Sequence, residues 1–99
     1  MSFRLRFTEE ATDDLTRLYS FIAENNPAAA DKALEILSKA WEMLEAFPFS
    51  CRKAEGGGPL LREMITPFGS NGLVALFEIE QDDILTVLAV RHQREEDYH

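Results

Sequence analysis

The stretch ILTVLAVRH, residues 84–92, says most about the fold of this 99-residue chain. Up to Val90 it is apolar on both of the faces that a strand would present, and it contains no turn-forming residue. Strands with this continuous apolar character are buried in the middle of a sheet rather than at its edge. We therefore expect residues 84–92 to form a central strand that helices cover on one side.

The segments that precede this strand predict the rest of the sheet. Residues 72–80, GLVALFEIE, join it through the polar turn QDD, and residues 60–66, LLREMIT, end at a PFGSNG loop. These three segments predict an antiparallel meander. At the amino terminus, SFRLRF alternates apolar and charged residues, which indicates a half-buried first strand in the same sheet.

Two helices are predicted between the first strand and the meander. Thr8 is the expected N-cap of the first, and Asn25 and Asn26 end it, since asparagine tolerates the left-handed backbone of a C-cap. Asn26 and Pro27 also open the second helix, which Pro48 stops. Its apolar stripe consists of Ala33, Leu37, Ala40, Trp41, Leu44 and Phe47. So short a junction predicts an antiparallel helical hairpin with a joint apolar face.

The resulting order is strand, helix, helix, strand, strand, strand. It predicts a two-layer α+β fold in which the helical hairpin packs on one face of a small, mostly antiparallel sheet. The opposite face is expected to be concave and partly polar. Residues 48–59, which end in EGGGP, are expected to be a flexible connection, and residues 1–99 to form a single domain.

Charge and composition restrict the classes of partner. The net charge is −8, with 18 acidic and 10 basic residues. Residues 8–47 hold nine acids against three bases, so the few cations concentrate outside the helices. This distribution disfavours nucleic acid and favours a basic protein partner. The single cysteine, Cys51, and the lack of a long apolar run indicate a cytoplasmic protein without a membrane segment.

Three polar residues of the predicted strands are the clearest candidates for a binding or catalytic role: Arg62, Arg91 and His92. Arg62 forms either a cross-strand ion pair or, on the open face, an anchor for a phosphate or carboxylate. His92 is either a hydrogen-bonded structural residue or a general acid or base with a pKa near neutrality. Strict alternation places His92 with Ile84, Thr86, Leu88 and Val90, and Arg91 with Leu85, Val87 and Ala89.

Cleavage of RNA through its own 2′-hydroxyl needs a proton acceptor, a proton donor and cations near the phosphate. Arg62, His92, Arg94 and Tyr98 supply groups of these kinds. The chain has only three lysines, however, so the residues favour binding over catalysis and leave an enzyme as the alternative. His92 and His99 do not have the spacing of a metal site, and neither a metal nor a cofactor is expected.

A longer pattern spans most of the chain. It begins as F-x-x-x-A-x-x-D-L-x-x-L-Y-x-F-I-A-E-x-N-P-x-A-A and continues with L-R-E-M and V-x-H-x-R-E. The first part is carried by Phe7, Ala11, Asp14, Leu15, Leu18, Tyr19, Phe21, Ile22, Ala23, Glu24, Asn26, Pro27, Ala28 and Ala29. In this order, the pattern resembles the RelE/ParE superfamily of type II toxin–antitoxin toxins, which includes plasmid stabilisation proteins.

This resemblance implies a toxin and a cognate antitoxin whose carboxyl-terminal segment wraps the toxin as helix and strand. In the RNA-cleaving, ribosome-dependent branch, Arg62, His92, Arg94 and Tyr98 would be the catalytic positions. In the ParE-like branch the target is DNA gyrase, and Arg62, Arg91, His92 and Arg94 would contact the antitoxin or the target. The acidic balance favours the ParE-like branch, and a homodimer is compatible with either.

One stretch departs from the superfamily pattern. Many relatives carry an aromatic residue and an arginine at the start of the penultimate strand, where this chain has Gly72-Leu73-Val74-Ala75. The missing arginine removes a cation from the open face and disfavours a nuclease. Three alternatives follow: a gyrase-binding toxin, which is favoured, an mRNA endonuclease, and an inactive homologue that retains antitoxin binding.

Overall fold

The computed structural model of the protein describes residues 3–94. Its sheet has the strand order β1-β5-β4-β3-β2. The helices and strands are β1 (Arg4–Phe7), α1 (Glu9–Asn25), α2 (Pro27–Ala46), β2 (Arg52–Lys53), β3 (Leu61–Phe68), β4 (Asn71–Glu80) and β5 (Ile84–His92).

The sheet is mixed, and β5 lies inside it as its apolar sequence predicts. β5 runs parallel to β1 and antiparallel to β4, while β3 pairs antiparallel with both β4 and β2. The core forms where the apolar faces of α1 and α2 meet one face of this sheet, around fully buried side chains such as Leu18, Leu44 and Phe77. This two-layer arrangement confirms the predicted α+β fold class.

The helical hairpin depends on two capping side chains. The side-chain oxygen of Thr8 accepts a hydrogen bond from the N–H of Ala11 at 3.1 Å, and that of Asn26 accepts one from the N–H of Ala29, also at 3.1 Å. Asn26 was expected to adopt the left-handed conformation, and this is wrong, because its φ is −158°. Asn26 is both the C-cap of α1 and the N-cap of α2, and an N-cap requires extended backbone.

The connection from α2 to β3 has more structure than its sequence suggests. Pro48–Ser50 form a 3-10 turn, and Arg52–Lys53 add a short fifth strand at the edge of the sheet. The prediction that Phe47 belongs to the apolar stripe of α2 is wrong. Because α2 ends at Ala46, the backbone turns at Phe47, and the Phe47 side chain is 66% exposed.

The β3–β4 connection is tighter than the loop that was predicted. β3 continues through Pro67 to Phe68. The sharp turn that follows gives Gly69 a φ of +61°, which glycine adopts without strain because it has no Cβ atom. Proline is tolerated here because Gly72, its partner in β4, directs its carbonyl to Gln93 beyond β5. The nitrogen of Pro67 therefore points away from β4, where no ladder hydrogen bond is lost.

A β-bulge in β5 corrects the predicted alternation of its side chains. Val87 pairs with Phe77 and Ala89 pairs with Leu76, so the register skips Leu88. An extra residue reverses the faces of all residues that follow it. As a result His92 shares the helix-facing side with Leu85, Val87 and Val90, whereas Arg91 shares the open side with Ile84, Thr86 and Ala89.

Asp14 of α1 attaches the helix to β5 just beyond the bulge. Its carboxylate is 3% exposed and accepts a hydrogen bond from the N–H of Val90 at 2.9 Å. Arg17 donates to Asp14 Oδ1 at 3.2 Å and to the carbonyl of Val90 at 3.3 Å. Since β1 ends opposite Val87, these two side chains bind the main chain of β5 where its parallel neighbour no longer reaches. We call Asp14, Arg17 and Val90 the helix–strand clasp.

Replacing Asp14 by alanine is expected to lower the free energy of unfolding by about 2–3 kcal/mol, because it leaves the buried N–H of Val90 without its acceptor. Chemical denaturation of Asp14→Ala and Asp13→Ala measures this effect. Asp13 is the adjacent exposed acid of the same helix turn, so its variant should stay within about 0.5 kcal/mol of the wild type. Equal losses in the two variants would contradict the clasp.

The β4–β5 turn provides a second test of stability. Asp82 and Asp83 both have positive φ, 60° and 57°, which costs a residue with a Cβ atom roughly 1–2 kcal/mol. Asp83→Gly should therefore raise the melting temperature by a few degrees, which calorimetry can measure. Gly69→Ala is the matched opposite change and should lower it by a similar amount. A lower melting temperature for Asp83→Gly would show that its side chain stabilises the turn.

Candidate functional site

The structure distributes the candidate residues over three separate places. Arg62 lies near the outer edge of the sheet, Arg91 lies on the open face, and His92 and Arg94 lie where β5 leaves the sheet. Tyr98 and His99 lie outside the described residues. The chemical roles predicted for all these side chains stay predictions, but their positions limit which of them act together.

Arg62 binds the chain itself rather than facing the open side of the sheet. It pairs with Phe77, whose side chain is in the core, so it points to the helix-facing side. Its guanidinium donates hydrogen bonds to the carbonyls of Phe49 at 3.1 Å, Cys51 at 2.9 Å and Pro59 at 2.8 Å. The guanidinium also lies 5.4 Å from the centre of the Phe49 ring. The prediction that Arg62 stands on the open face is therefore wrong.

Arg62 is also remote from His92. Their partners in β4, Phe77 and Leu73, are four residues apart, and the two strands are separated by β4. These positions correspond to about 13 Å along the strands and about 10 Å across them. A phosphate that contacts one side chain is out of reach of the other.

The cross-strand ion pair that was considered for Arg62 belongs to its neighbour Glu63. Arg52 of β2 donates to Glu63 Oε1 at 2.7 Å across the outer edge of the sheet. Arg91, on the same open face, pairs with Val74 and is half-buried. The open face is therefore partly polar, as predicted, and it carries charges of both signs.

The end of the open face near the β4–β5 turn is acidic. Arg6 contacts Glu80 at 3.0 Å, and the hydroxyl of Thr86 donates a hydrogen bond to the same carboxylate. The Thr86 hydrogen bond and the Arg6 charge together lower the pKa of Glu80. Glu78 and Asp82 line a shallow cavity beside this group. Glu80 thus stays charged at neutral pH, and Arg6 balances its charge.

His92 is enclosed by aromatic side chains at the opposite end. It is 6% exposed and lies between the rings of Phe21 and Phe68, whose centres are 6.1 Å and 6.0 Å from its own. Its Nδ1 accepts a hydrogen bond from the N–H of Arg94 at 3.1 Å, which requires an unprotonated nitrogen. Burial, and then the charge of Arg94, lower the pKa of His92. The imidazole is therefore neutral at pH 7.

Two adjoining cavities flank His92 and Arg94, and we call them together the β5-end pocket. The larger, of about 510 Å³, is lined by residues of α2, the β3–β4 turn and the end of β5: Ala29, Lys32, Ile36, Phe68, Gly69, Ser70, Asn71, His92 and Arg94. The smaller, of about 350 Å³, is lined by Phe21, Ile22, Asn25, Asn26, Phe68, His92 and Arg94. This pocket brings two cations and several amide and hydroxyl groups to one place.

Sequence reasoning missed the helix–strand clasp and every residue of this pocket except His92 and Arg94. Asp14 could have been found, because it occupies a position in the apolar stripe of Ala11, Leu18 and Ile22, and an acid buried there needs a partner. Lys32 and Ser70 gave no such signal. They line one cavity because the β3–β4 turn lies beside α2, an arrangement that local sequence does not encode.

The described part of the chain, residues 3–94, contains no group of three or more His, Cys, Asp or Glu side chains that could hold a metal ion. Over the same residues, neither helix is both long enough and apolar enough to cross a bilayer.

Comparison with protein families gives a match over nearly the whole chain. The model of the ParE toxin of the type II toxin–antitoxin system parDE matches residues 5–97. The chain belongs to the ParE toxin family. It is also 30% identical over 86 residues to Toxin RelE3 of Caulobacter vibrioides, covering 86% of this chain and 88% of that protein. The predicted membership of the RelE/ParE superfamily is confirmed.

Solved structures of similar shape agree with this ParE-family fold. The chromosomal ParDE toxin–antitoxin system from P. aeruginosa contains a chain with a TM-score of 0.67 and 17% identity, over 92% of this chain and 96% of that one. The toxin–antitoxin complex RelBE2 from Mycobacterium tuberculosis gives a TM-score of 0.59 and 20% identity, over 93% and 99%. At these identities, the likeness establishes the shared fold.

The environment of His92 predicts how stability depends on pH. Because its folded-state pKa lies below the ordinary value of 6.5, the unfolded chain binds more protons between the two values. The stabilising contribution is therefore complete above about pH 6.5 and is lost as the pH falls towards the folded-state pKa. Denaturation of wild type and His92→Gln at pH 7.5 and 5.5 should show a larger loss on acidification for the wild type.

An exposed residue of α2 without a titratable side chain provides the control for this measurement. Ser38→Ala leaves both histidines unchanged and should retain the wild-type dependence on pH. The same loss of stability on acidification in wild type and His92→Gln would contradict the buried, neutral imidazole.

Proposed function

We propose that this ParE-family chain is a toxin that binds and inhibits a cellular target, with DNA gyrase favoured, and that a cognate antitoxin neutralises it. It would act in the cytoplasm, in a system that stabilises a plasmid or chromosomal segment. The observation that carries the preference for binding is the separation of Arg62 from His92 by the width of β4.

The positions of the candidate groups favour binding over RNA cleavage for a physical reason. A general acid or base needs access to the proton it transfers. His92 is buried between two aromatic rings, and its Nδ1 already accepts a main-chain N–H. Arg62 is committed to three carbonyls of the α2–β3 connection. Neither side chain is placed to stabilise charge on a phosphate near the other.

Two surfaces support recognition by an antitoxin. A groove between the helices of the hairpin, about 390 Å³ in volume, is lined by Leu15, Thr16, Tyr19, Ser20 and Leu34 and suits the apolar face of a helix. At the edge of the sheet, β2 pairs only with Arg62 and Glu63. The following residues of β3, including Ile65, which is 38% exposed, offer main-chain groups to a strand. The RelBE2 complex supports the same kind of partner by its name.

An mRNA endonuclease is the second candidate, because one relative is named RelE3. Arg94 and Tyr98 would then act with His92, and Arg62 would act only through the stability of the fold. An inactive homologue that only binds the antitoxin is the third. These alternatives predict different results for the same purified protein.

A gyrase supercoiling assay with the purified chain, combined with primer-extension mapping of mRNA after induced expression, separates the candidates. We expect inhibition of supercoiling, growth arrest and no new mRNA ends, because the site binds rather than cleaves. Addition of the product of the adjacent reading frame should restore supercoiling, which controls for non-specific inhibition.

New mRNA ends that disappear in His92→Gln or Arg94→Gln would instead identify the endonuclease. Circular dichroism should first show that each variant is folded, since His92 is buried. If expression causes no growth arrest and the purified chain does not inhibit supercoiling, the chain is the inactive homologue.

A further inference from the structure

The β5-end pocket differs in charge from the rest of this acidic protein. Lys32 and Arg94 both line its larger cavity, while no Asp or Glu is among the described residues that line either cavity. The chain as a whole has a net charge of −8. Lys32 is also 3.6 Å from Glu35, but both side chains are largely exposed, so solvent weakens that pair. Within residues 3–94, the charged side chains that line the two cavities are thus Lys32 and Arg94, both positive.

The uncharged groups around these cations restrict the ligand further. Ser70 and Asn71 of the β3–β4 turn add hydrogen-bonding groups at one rim. Ile36 and Phe68 are half-buried and provide an apolar floor between the turn and α2. A ligand that satisfies all of these groups carries an anionic group next to an apolar one. A carboxylate side chain followed or preceded by an aliphatic residue has this composition.

A protein segment fits these features better than a nucleic acid. A nucleic-acid strand presents a phosphate at each nucleotide, and the other charges of this surface would repel it. A single carboxylate, in contrast, needs only the local pair of Lys32 and Arg94. At the other end of the molecule, the three acids Glu78, Glu80 and Asp82 outnumber Arg6 around one cavity, and this excess of negative charge would repel a long polyanion.

We propose that the β5-end pocket binds an acidic side chain of the antitoxin together with an adjacent aliphatic side chain. This inference rests on the proposed function, because it assumes that a cognate antitoxin exists. Lys32 and Arg94 contact the carboxylate, Ser70 and Asn71 add hydrogen bonds, and Ile36 and Phe68 contact the aliphatic group. His92 supports the floor of the pocket in its neutral form. The pocket then determines the register in which the antitoxin segment lies on the toxin.

The test measures binding of the intact chain to the product of the adjacent reading frame by calorimetry. The Lys32→Gln and Arg94→Gln variants should each bind roughly ten-fold more weakly, since each removes one charge-assisted contact. The affinity of the wild type should also fall more steeply with salt than that of the double variant Lys32→Gln/Arg94→Gln. A peptide of the antitoxin's carboxyl-terminal segment, with its glutamates and aspartates replaced by glutamine and asparagine, should bind the wild type more weakly than the unaltered peptide does. The double variant should bind both peptides equally.

Lys39→Gln and Arg4→Gln are the matched controls. Lys39 is an exposed lysine of the same helix and Arg4 an exposed arginine of β1, and neither lines the β5-end pocket. Both variants should bind as the wild type does. Wild-type affinity in Lys32→Gln and Arg94→Gln would overturn the inference while leaving the proposed function intact. No binding of the wild-type chain to that product would contradict the proposed function itself.

Discussion

The hydrogen bonds between the Asp14 carboxylate, Arg17 and the main chain of Val90 are the interaction on which the functional end of this protein depends. β1 supports β5 only as far as Val87, and the clasp continues that support with side chains of α1. A buried carboxylate is costly to desolvate unless it is fully hydrogen-bonded. Its presence here indicates that the position of α1 over the end of β5 is strongly determined.

The clasp and the bulge together determine what the end of β5 presents. The bulge at Leu88 places His92 on the helix-facing side, and α1 brings Phe21 against its ring. In the same arrangement, Arg94 and Lys32 both line one cavity. Histidine therefore acts in the floor of the pocket, and the two cations provide its charge. This division of roles is the basis of our proposal that the pocket binds a ligand and does not transfer protons.

The order of elements, both N-caps and the central position of β5 could be predicted because each follows from local sequence: capping residues, proline positions and hydrophobic period. The face of His92 could not, because one unpaired residue at Leu88 reverses the alternation, and nothing in ILTVLAVRH marks it. The acceptors of Arg62 were equally hidden, since they are carbonyls of a connection that had no predicted structure. The burial of Asp14 could be predicted from its place in the apolar stripe of α1, but its partner Val90 could not. Contacts between distant segments were thus the part that sequence left open.

Amide hydrogen exchange at Val90 tests the central claim most directly. The clasp predicts that this N–H is protected nearly as strongly as the amides that open only on global unfolding, although no β1 residue lies opposite it. Exchange at Val90 as rapid as at the exposed turn residue Ser70 would show that α1 does not hold the end of β5. The positions of His92 and of the β5-end pocket would then lose their structural basis.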